Sequence, residues 1–423
     1  MLNSDPSANS PVPISVNGRA YCWPIRPSVV VCFDGCDPAY IDAASTAGAI
    51  PTMDRMRSEG FGATAFAVMP TTTNPNNVSI VCGAPPSVHG VSGNYYIDRK
   101  TGHEIMMLDD RPMRADTIMG RFSQEGAEVV AITAKDKLRK ALARNLKGIA
   151  FSAEKAGDST MAEHGITDLA TLVGRPAPQQ YSADLSLYVL DAGIRLMAER
   201  RPDLTYLSLS DYVQHKHAPG TAEANDFMAA VDQRLAVLLD LGTIIGIVAD
   251  HGMTDMSTPS GRPNVIYLGD LLDAEYGHGS TKVICPIADP FVRHHGALGG
   301  FVRVHLRRPG LDAADVAAFI RTLPGVEEAL MRDEACARFD LPDDKEGDVA
   351  VIGRRGVAIG ARAVDHDLSA LAGERLRSHG SLAEQPVPLI VSHPLRQSYA
   401  EKAKTSALRN FDIFDFVLNG VEA

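Results

Sequence analysis

Residues 244–252, IIGIVADHG, contain a continuous apolar strand that leads straight into Asp250 and His251. The same arrangement occurs in two further stretches, VVVCFDG at residues 29–35 with Asp34, and YLSLSDYVQH at residues 206–215 with Asp211 and His215. Continuous apolar strands are typical of parallel sheets that are buried on both faces. Open α/β sheets build their active sites at the carboxyl ends of such strands. The three stretches therefore predict one site at one edge of a sheet.

Strand and helix patterns alternate through the first 250 residues. The predicted strands are residues 28–33, 62–68, 127–132, 204–209 and 243–249, and the predicted helices are residues 51–59, 76–82, 116–124, 182–200 and 222–239. Alternation of this kind is typical of βαβ units. It predicts an α/β fold with a doubly wound, mostly parallel sheet and helices on both faces.

The pattern changes after His251. Residues 260–368 combine predicted strands at 300–305 and 349–352 with a helix at 313–323, which indicates a smaller inserted α+β cap. The catalytic core would then comprise residues 21–259 and 369–423, with a last strand at 389–394 and a terminal helix at 413–418. Residues 1–20 are interpreted as a flexible N-terminal arm.

The composition limits the classes of function. The net charge of −11 argues against a nucleic-acid partner and against docking on anionic membranes. The sequence contains no run of about 18 apolar residues, so it predicts no transmembrane helix. The N-terminus lacks the pattern of a secretory signal, and the six cysteines show no paired zinc-site or disulfide spacing. These features predict a cytoplasmic enzyme with a small-molecule substrate. They are compatible with a homodimer as its oligomeric state.

The strand-end residues are of the types that bind divalent metals. Asp211 and His215 are four residues apart and would project from one face of a helix. Imidazole nitrogen together with carboxylate oxygen suits Zn²⁺, and also Mn²⁺ or Fe²⁺. Taken singly, each pair is better explained by a helix-capping Asp and a surface His, and Asp34-Gly35 is equally explained by a turn. The joint occurrence of three such strand ends favours metal ligands instead. A further histidine would complete the set, but the residues alone do not choose among His379, His294 and His295.

MPTTTNPNN, residues 69–77, predicts the start of a helix with Thr73 or Asn74 as its N-cap, because Pro75 suits a first turn. Free amides at such a helix end can hold a phosphoryl oxygen, and a nearby metal can activate a threonine hydroxyl. Asn94 offers a second donor for a phosphoryl oxygen, although an Asn in a Gly-flanked turn is common.

Two lysines follow the predicted strand that ends near residue 132. Lys135 and Lys137, in TAKDKLRK, would emerge at the same sheet edge as the candidate ligands. A run of charge is usually a solvated face, which is the interpretation of Arg139 and Lys140. The first two lysines are better placed to bind an anionic group.

Together these residues resemble the alkaline phosphatase superfamily, in particular the branch of nucleotide pyrophosphatase/phosphodiesterases and phosphonoacetate hydrolases. The segment PTTTNPNNVSIVCGAPPSVHGVSGNYY, residues 70–96, matches the nucleophile motif of the branch, with Thr73 as the nucleophile and Asn94 as the phosphoryl-binding residue. The TAKDKLRK run is similar to phosphonoacetate hydrolases, whose paired lysines bind the substrate carboxylate.

The resemblance implies two divalent metal ions, with Zn²⁺ as the expected metal. It implies one ligand set of Asp211, His215 and His379, which also contact the substrate, and a second set of Asp34, Thr73, Asp250 and His251. The implied activity is hydrolysis of the carbon–phosphorus bond of phosphonoacetate through a phosphothreonine intermediate.

Three alternatives are kept. A nucleotide pyrophosphatase/phosphodiesterase would use the same metals, but only 6% of the chain is aromatic, with Tyr95 and Tyr96 as candidates for base stacking. A phosphoglycerate mutase is similar in its metals but has a serine nucleophile and a longer insertion. A non-catalytic metal-binding protein would not need Thr73.

Overall fold

The computed structural model describes residues 12–289 and 295–422. Its centre is a seven-stranded sheet, in the order Phe61–Phe66, Pro386–Val391, Ile244–Val248, Ser28–Cys32, Leu204–Ser208, Val129–Thr133 and Ile149–Ser152. Neighbouring strands from Ile244–Val248 to Ile149–Ser152 are parallel. Only the two pairings that involve Pro386–Val391 are antiparallel. The predicted α/β fold with a mostly parallel sheet is confirmed.

The central strands are buried at every position because both faces of the sheet are covered. This holds for Ser28–Cys32, Leu204–Ser208 and Ile244–Val248. In register, Cys32 lies opposite Ser208 on one side and Val248 on the other. The three strands therefore end at the same level, and the polar residues that follow them emerge together.

The core helices that were predicted lie close to their predicted positions, but others, among them Pro38–Thr46, Asp136–Leu142 and Gln397–Thr405, were not predicted. Those of seven or more residues are Pro38–Thr46, Thr73–Cys82, Ile118–Gln124, Asp136–Leu142, Asp184–Arg200, Ala222–Asp240 and Gln397–Thr405. Shorter ones are Pro51–Arg55, Pro86–His89, Met161–His164, Leu169–Val173, Tyr212–Lys216 and Ile413–Asp415. Wider π-helical turns continue two of these, at Met56–Gly60 and Phe416–Gly420.

A second sheet is built from the residues after His251. Its four antiparallel strands are, in order, Thr281–Ile284, Phe301–Leu306, Val349–Gly353 and Val326–Met331. The accompanying helices are Leu268–Tyr276, Ala313–Arg321 and Arg332–Phe339. An apolar cluster that includes Val302, Ile320 and Val351 forms a separate core. The exact boundaries of the cap, 260 and 368, stay a prediction.

Small two-stranded sheets complete the fold: Ile14–Val16 with Arg19–Tyr21, Tyr95–Ile97 with Glu104–Met106, Thr254–Asp255 with Arg377–Ser378, and Val265–Tyr267 with Ala358–Gly360. The first of these differs from the flexible arm that we predicted for residues 1–20. Val16 and Tyr21 are buried in the main core, and this burial orders the hairpin. Residues 1–11 of the predicted arm lie outside the described residues.

Within the described residues, no helix combines the length and the apolar character needed to cross a membrane. The cytoplasmic location and the homodimer stay predictions.

A buried ion pair joins the second sheet to the core. Arg303 and Glu346 are 0% and 1% exposed, and Arg303 Nε donates to Glu346 Oε2 at 2.6 Å. Arg303 Nη2 donates to the other carboxylate oxygen and to the carbonyl of Ser92 at 2.7 Å. Buried charges are tolerated only when they are paired and hydrogen-bonded. The pair therefore fixes the chain next to Ser92.

We expect Glu346→Gln to lower the free energy of unfolding by about 3 kcal/mol or more, since it leaves the Arg303 guanidinium buried without a counter-charge. Urea denaturation of the metal-loaded protein would measure the loss. The matched control is Asp365→Asn, which breaks the ion pair of Asp365 with Arg362, whose side chains are 39% and 40% exposed. That change should cost less than about 1 kcal/mol. Equal losses in the two variants would contradict the prediction.

Candidate metal centre and active site

Six buried side chains at the carboxyl edge of the sheet form two clusters of metal-ligand type. They are Asp211, His215 and His379 in one cluster, and Asp34, Asp250 and His251 in the other. Within each cluster the candidate ligand atoms lie within 4.8 Å of one another. The structure thus brings together the residues that the sequence predicted as ligands.

In the first cluster, Asp211 directly precedes the helix Tyr212–Lys216, which places His215 one turn further along. His215 Nε2 lies 2.9 Å from Asp211 Oδ2, while its Nδ1 donates to the carbonyl of Arg377 at 2.7 Å. His379 arrives from a distant segment, and its Nδ1 donates to the carbonyl of Thr71 at 2.7 Å. Both rings are therefore held with Nε2 toward the cluster.

In the second cluster, Asp250 is held by three donors. Its Oδ1 accepts from the amides of Gly35 at 3.2 Å and His251 at 3.0 Å, and its Oδ2 accepts from Asn77 Nδ2 at 3.0 Å. His251 Nδ1 donates to the carbonyl of Gly252 at 2.9 Å, and its Nε2 lies 3.4 Å from Asp34 Oδ1. The turn after residue 248 thus lets two adjacent residues point at one centre.

The donor chemistry of both clusters fits divalent cations. A carbonyl can only accept, so Nδ1 of each histidine carries the proton and Nε2 of the neutral ring has a lone pair. In the first cluster this lone pair faces a carboxylate oxygen of Asp211 at 2.9 Å, which places two acceptors against each other. In the second, Asp34 Oδ1 is buried without a hydrogen-bond donor. A cation between these atoms would satisfy them, and carbonyl-oriented histidines are typical of metal sites.

The electrostatics favour the same conclusion. Burial, together with the nearby charges of Asp211 and Asp250, raises the pKa of Asp34 well above its usual range. Burial also raises the pKa of Asp250. Burial and two neighbouring histidines lower the pKa of His379, which keeps its ring neutral. Neutral imidazole is the form that binds metals, and closely spaced buried carboxylates are stabilised by a bound cation.

Thr73 lies beside the second cluster. The rings of His251 and His379 stack with centroids 3.6 Å apart, and Thr73 Oγ1 is 3.2 Å from His251 Nε2. Thr73 is the first residue of the helix Thr73–Cys82, and Thr72 is its N-cap. The hydroxyl therefore lies at the positive end of a helix and beside His251 of the second cluster.

Our prediction that this helix starts at residue 76 with Thr73 or Asn74 as its N-cap was wrong. The first helical amides need no intrahelical acceptor, so Pro75 is accommodated within the first turn. Asn76 adds a reason for the early start, because its Nδ2 donates to the carbonyl of Thr72 at 3.0 Å and its Oδ1 accepts from the amide of Val68 at 2.7 Å.

A small cavity opens onto the first cluster and onto Thr73. Of the predicted site residues, its lining includes Asp34, Thr73, Asn94, Lys135, Lys137, Asp211 and His379. His215, Asp250 and His251 are not among the described residues that line it. Asn94 is anchored by Nδ2, which donates to the carbonyl of Ile287 at 3.2 Å. Tyr95, a candidate for base stacking, lines a different cavity.

The same cavity is lined by residues that sequence reasoning did not place there. They include Asn74, Asp289 and His295. His295 was one of three alternatives for a late histidine, and its buried ring lies 5.6 Å from that of His215. His294, another alternative, lies outside the described residues. Asp289 follows no strand-end pattern, so the sequence carries no signal for it.

The two lysines differ in their partners. Lys135 Nζ lies 3.6 Å from Asp211 Oδ1, and Lys137 Nζ lies 2.5 Å from Asp289 Oδ2. Burial alone would lower the pKa of Lys135, but the carboxylates of Asp211, Asp34 and Asp289 outweigh it and raise that pKa. For Lys137 burial prevails, and the pKa is lowered despite Asp289.

Residues 28–381 match the family described as type I phosphodiesterase/nucleotide pyrophosphatase. The chain belongs to this family. Crystal structures of phosphonoacetate hydrolase from Sinorhizobium meliloti 1021, in complex with phosphonoformate and with phosphonoacetate, are similar with 46% and 45% identity and TM-scores of 0.92. Each alignment covers 97% of this chain and 99% of that protein. The resemblance to the alkaline phosphatase superfamily is thereby confirmed, and the protein is a hydrolase.

Two further matches are more distant. Murine ectonucleotide pyrophosphatase/phosphodiesterase 5 has 18% identity and a TM-score of 0.62 over 93% of this chain and 94% of that protein, which shows a shared fold. An alkaline phosphatase, PhoV, from Synechococcus elongatus has 29% identity over 109 residues. That match spans 24% of this chain and only 19% of the length of the relative.

We expect Asp34→Asn to stabilise the metal-free protein while weakening its binding of zinc. The raised pKa of Asp34 means that the metal-free folded state keeps a proton that the unfolded state releases. The free energy of unfolding should therefore fall as pH rises above about 4, by roughly 1.4 kcal/mol for each unit of pKa difference.

Thermal unfolding after chelation, at pH 5.5 and pH 8, would measure this effect in both proteins. The wild type should lose more stability between the two pH values than Asp34→Asn does, and added Zn²⁺ should raise its melting temperature more. An identical pH dependence in the two proteins would contradict the prediction.

Proposed function

We propose that the protein hydrolyses the carbon–phosphorus bond of phosphonoacetate to acetate and phosphate. The observation that carries the proposal is the 46% identity, over 97% of the chain, to phosphonoacetate hydrolase. The crystal structure of that enzyme with phosphonoacetate gives the substrate class. The cavity adds support, since two lysines line it beside Thr73 and the candidate ligands.

In the proposed reaction, Thr73 is the nucleophile. Its Oγ1 attacks phosphorus, the carbon–phosphorus bond breaks, and a phosphothreonine forms. Bound divalent ions, with zinc as the proposed metal, would supply the Lewis-acid charge that makes a hydroxyl and a water nucleophilic near neutral pH. Asp211, His215 and His379 would hold one ion, and Asp34, Thr73, Asp250 and His251 the other. Water then releases phosphate from Thr73.

The departing carbon has no oxygen to carry its electron pair. The pair is delocalised onto the adjoining carboxylate as an enediolate-like anion, and the carbon then takes a proton from solvent to give acetate. Lys135 and Lys137 would bind the carboxylate and stabilise the charge that develops on it. Asn94 would donate from its side chain to a phosphonate oxygen. Each of these groups lines the one cavity.

A second candidate function is hydrolysis of phosphate diesters or nucleotide pyrophosphates at the same centre. The family match favours it, because the family is described by that activity. The cavity favours a smaller substrate, since its volume of about 60 Å³ is well below that of sites for drug-sized ligands, roughly 300–1,000 Å³.

We expect Thr73→Ala to lower kcat/KM for phosphonoacetate by at least about 1,000-fold, because it removes the proposed nucleophile. The matched control is Thr72→Val. Thr72 is buried beside Thr73, and its hydroxyl has no hydrogen-bond partner, so this isosteric change should alter the rate by less than about fivefold. Phosphate release by zinc-loaded protein is the assay, and mass spectrometry after acid quenching would look for phosphate on Thr73. Full activity of Thr73→Ala would exclude the mechanism.

Replacing both Lys135 and Lys137 by Ala separates the two candidate functions. Turnover of phosphonoacetate should fall at least about 100-fold, since stabilisation of the carboxylate is lost. Hydrolysis of bis(p-nitrophenyl) phosphate should change little, because that substrate has no carboxylate. Lys140→Ala is the control, as Lys140 lies on the same helix with its side chain 48% exposed. A parallel loss on both substrates would contradict a specific role of the two lysines in binding the carboxylate.

A further inference from the structure

The ammonium of Lys137 already has a carboxylate partner supplied by the protein. The pair with Asp289 is 2.5 Å long, and the two side chains are only 13% and 10% exposed. Both residues line the cavity with Thr73 and Asn94. A carboxylate of the chain thus lies where, under the proposed function, the carboxylate of the substrate must bind.

The backbone before Asp289 is tied to the phosphoryl-binding side of the cavity. The carbonyl of Pro286 accepts from the amide of Asn94 at 2.8 Å, and the carbonyl of Ile287 accepts from its side chain at 3.2 Å. Asp289 follows two residues later and reaches Lys137, which follows the strand Val129–Thr133 of the main sheet. The contact therefore spans the cavity from one wall to the other.

The two lysines are not equivalent in this respect. Lys135 faces Asp211, which belongs to the first ligand cluster. Lys137 faces Asp289, which belongs to neither ligand cluster. Only the second contact can be exchanged without disturbing a candidate ion position.

We propose that Asp289 is a specificity-determining residue: its carboxylate pairs with Lys137 when no substrate is bound, and the carboxylate of a substrate must displace it. This inference rests on the proposed function. An anion that carries its own carboxylate can replace the pair with an equivalent one, so the desolvated ammonium is never left without a counter-charge. A phosphonate without a carboxylate leaves the pair intact and makes no use of Lys137.

Asp289 also preserves the charge that the substrate needs. Burial and the neighbouring Lys135 lower the pKa of Lys137, whereas Asp289 raises it. The pair thus opposes the loss of the Lys137 proton that burial favours. The contact raises the KM of the correct substrate. It also stabilises the charged form of Lys137, which recognises the carboxylate of that substrate.

The test measures binding, and so does not depend on turnover. The dissociation constants of phosphonoformate, which has a carboxylate, and methylphosphonate, which has none, would be measured by isothermal titration calorimetry on zinc-loaded protein at pH 7. In Asp289→Asn, phosphonoformate should bind roughly threefold to tenfold more tightly, while methylphosphonate changes by less than about twofold. The KM for phosphonoacetate should fall by the same factor as the first constant.

Two controls separate displacement from a general effect of charge. Glu154→Gln removes one negative charge near Lys135 and makes no contact with Lys137. It should change both constants by less than about twofold. In a Lys137→Gln background, Asp289→Asn should have no effect on phosphonoformate, because the two substitutions act through one contact.

Several outcomes would overturn the inference. Tighter binding of both anions would indicate only that the electrostatic potential of the cavity has become more positive. Weaker binding of phosphonoformate would mean that Asp289 positions Lys137 for the substrate. An unchanged constant would mean that Lys137 keeps its partner. Failure of the proposed function is a different result: the wild type would release no phosphate from phosphonoacetate, whatever the binding constants of the two anions.

Discussion

The site depends on the common level at which three parallel strands end. Ser28–Cys32 lies between Leu204–Ser208 and Ile244–Val248, and hydrogen bonds hold Cys32 opposite both Ser208 and Val248. Asp34 and Asp250 come two residues after the ends of their strands, and Asp211 comes three residues after Ser208. A slip in register by one residue would turn these side chains to the other face. The continuous backbone pairing of the three strands fixes this register and so brings the three carboxylates together.

A second layer of contacts then orients what the strands deliver. Three backbone carbonyls, of Thr71, Gly252 and Arg377, each accept from Nδ1 of one histidine. Asn77 holds Asp250 with its Nδ2, and its Oδ1 accepts from the hydroxyls of Tyr206 and Ser208. One amide thus connects a ligand cluster to the helix of Thr73 and to a central strand. Side chains fixed in this way bind without further ordering, which favours tight and selective coordination.

The sequence predicted the sheet and the residues at its edge because both depend on local pattern. Continuous apolar runs identified the strands, and the residue after each run followed from alignment of parallel strands. Contacts between segments that are distant in sequence were not predictable in this way. The carboxylate of Asp289 and the buried ring of His295 reach the cavity through tertiary packing, which leaves no periodicity in the sequence. The same applies to Ile149–Ser152, an edge strand that was not predicted, and to the hairpin at Ile14–Tyr21, which burial orders. The roles assigned to the site residues stay predictions.

The ion pair of Arg303 with Glu346 has a consequence for how members of the family differ from one another. Arg303 also binds the carbonyl of Ser92, two residues before Asn94, so the loop that carries this asparagine takes its shape from the second sheet as well as from its own helix. The second sheet therefore helps to set the shape of the site. A chimaera that exchanged this sheet between relatives would also have to exchange residues 92–94. Otherwise the new sheet and the original loop would not make the contact that Arg303 makes with Ser92.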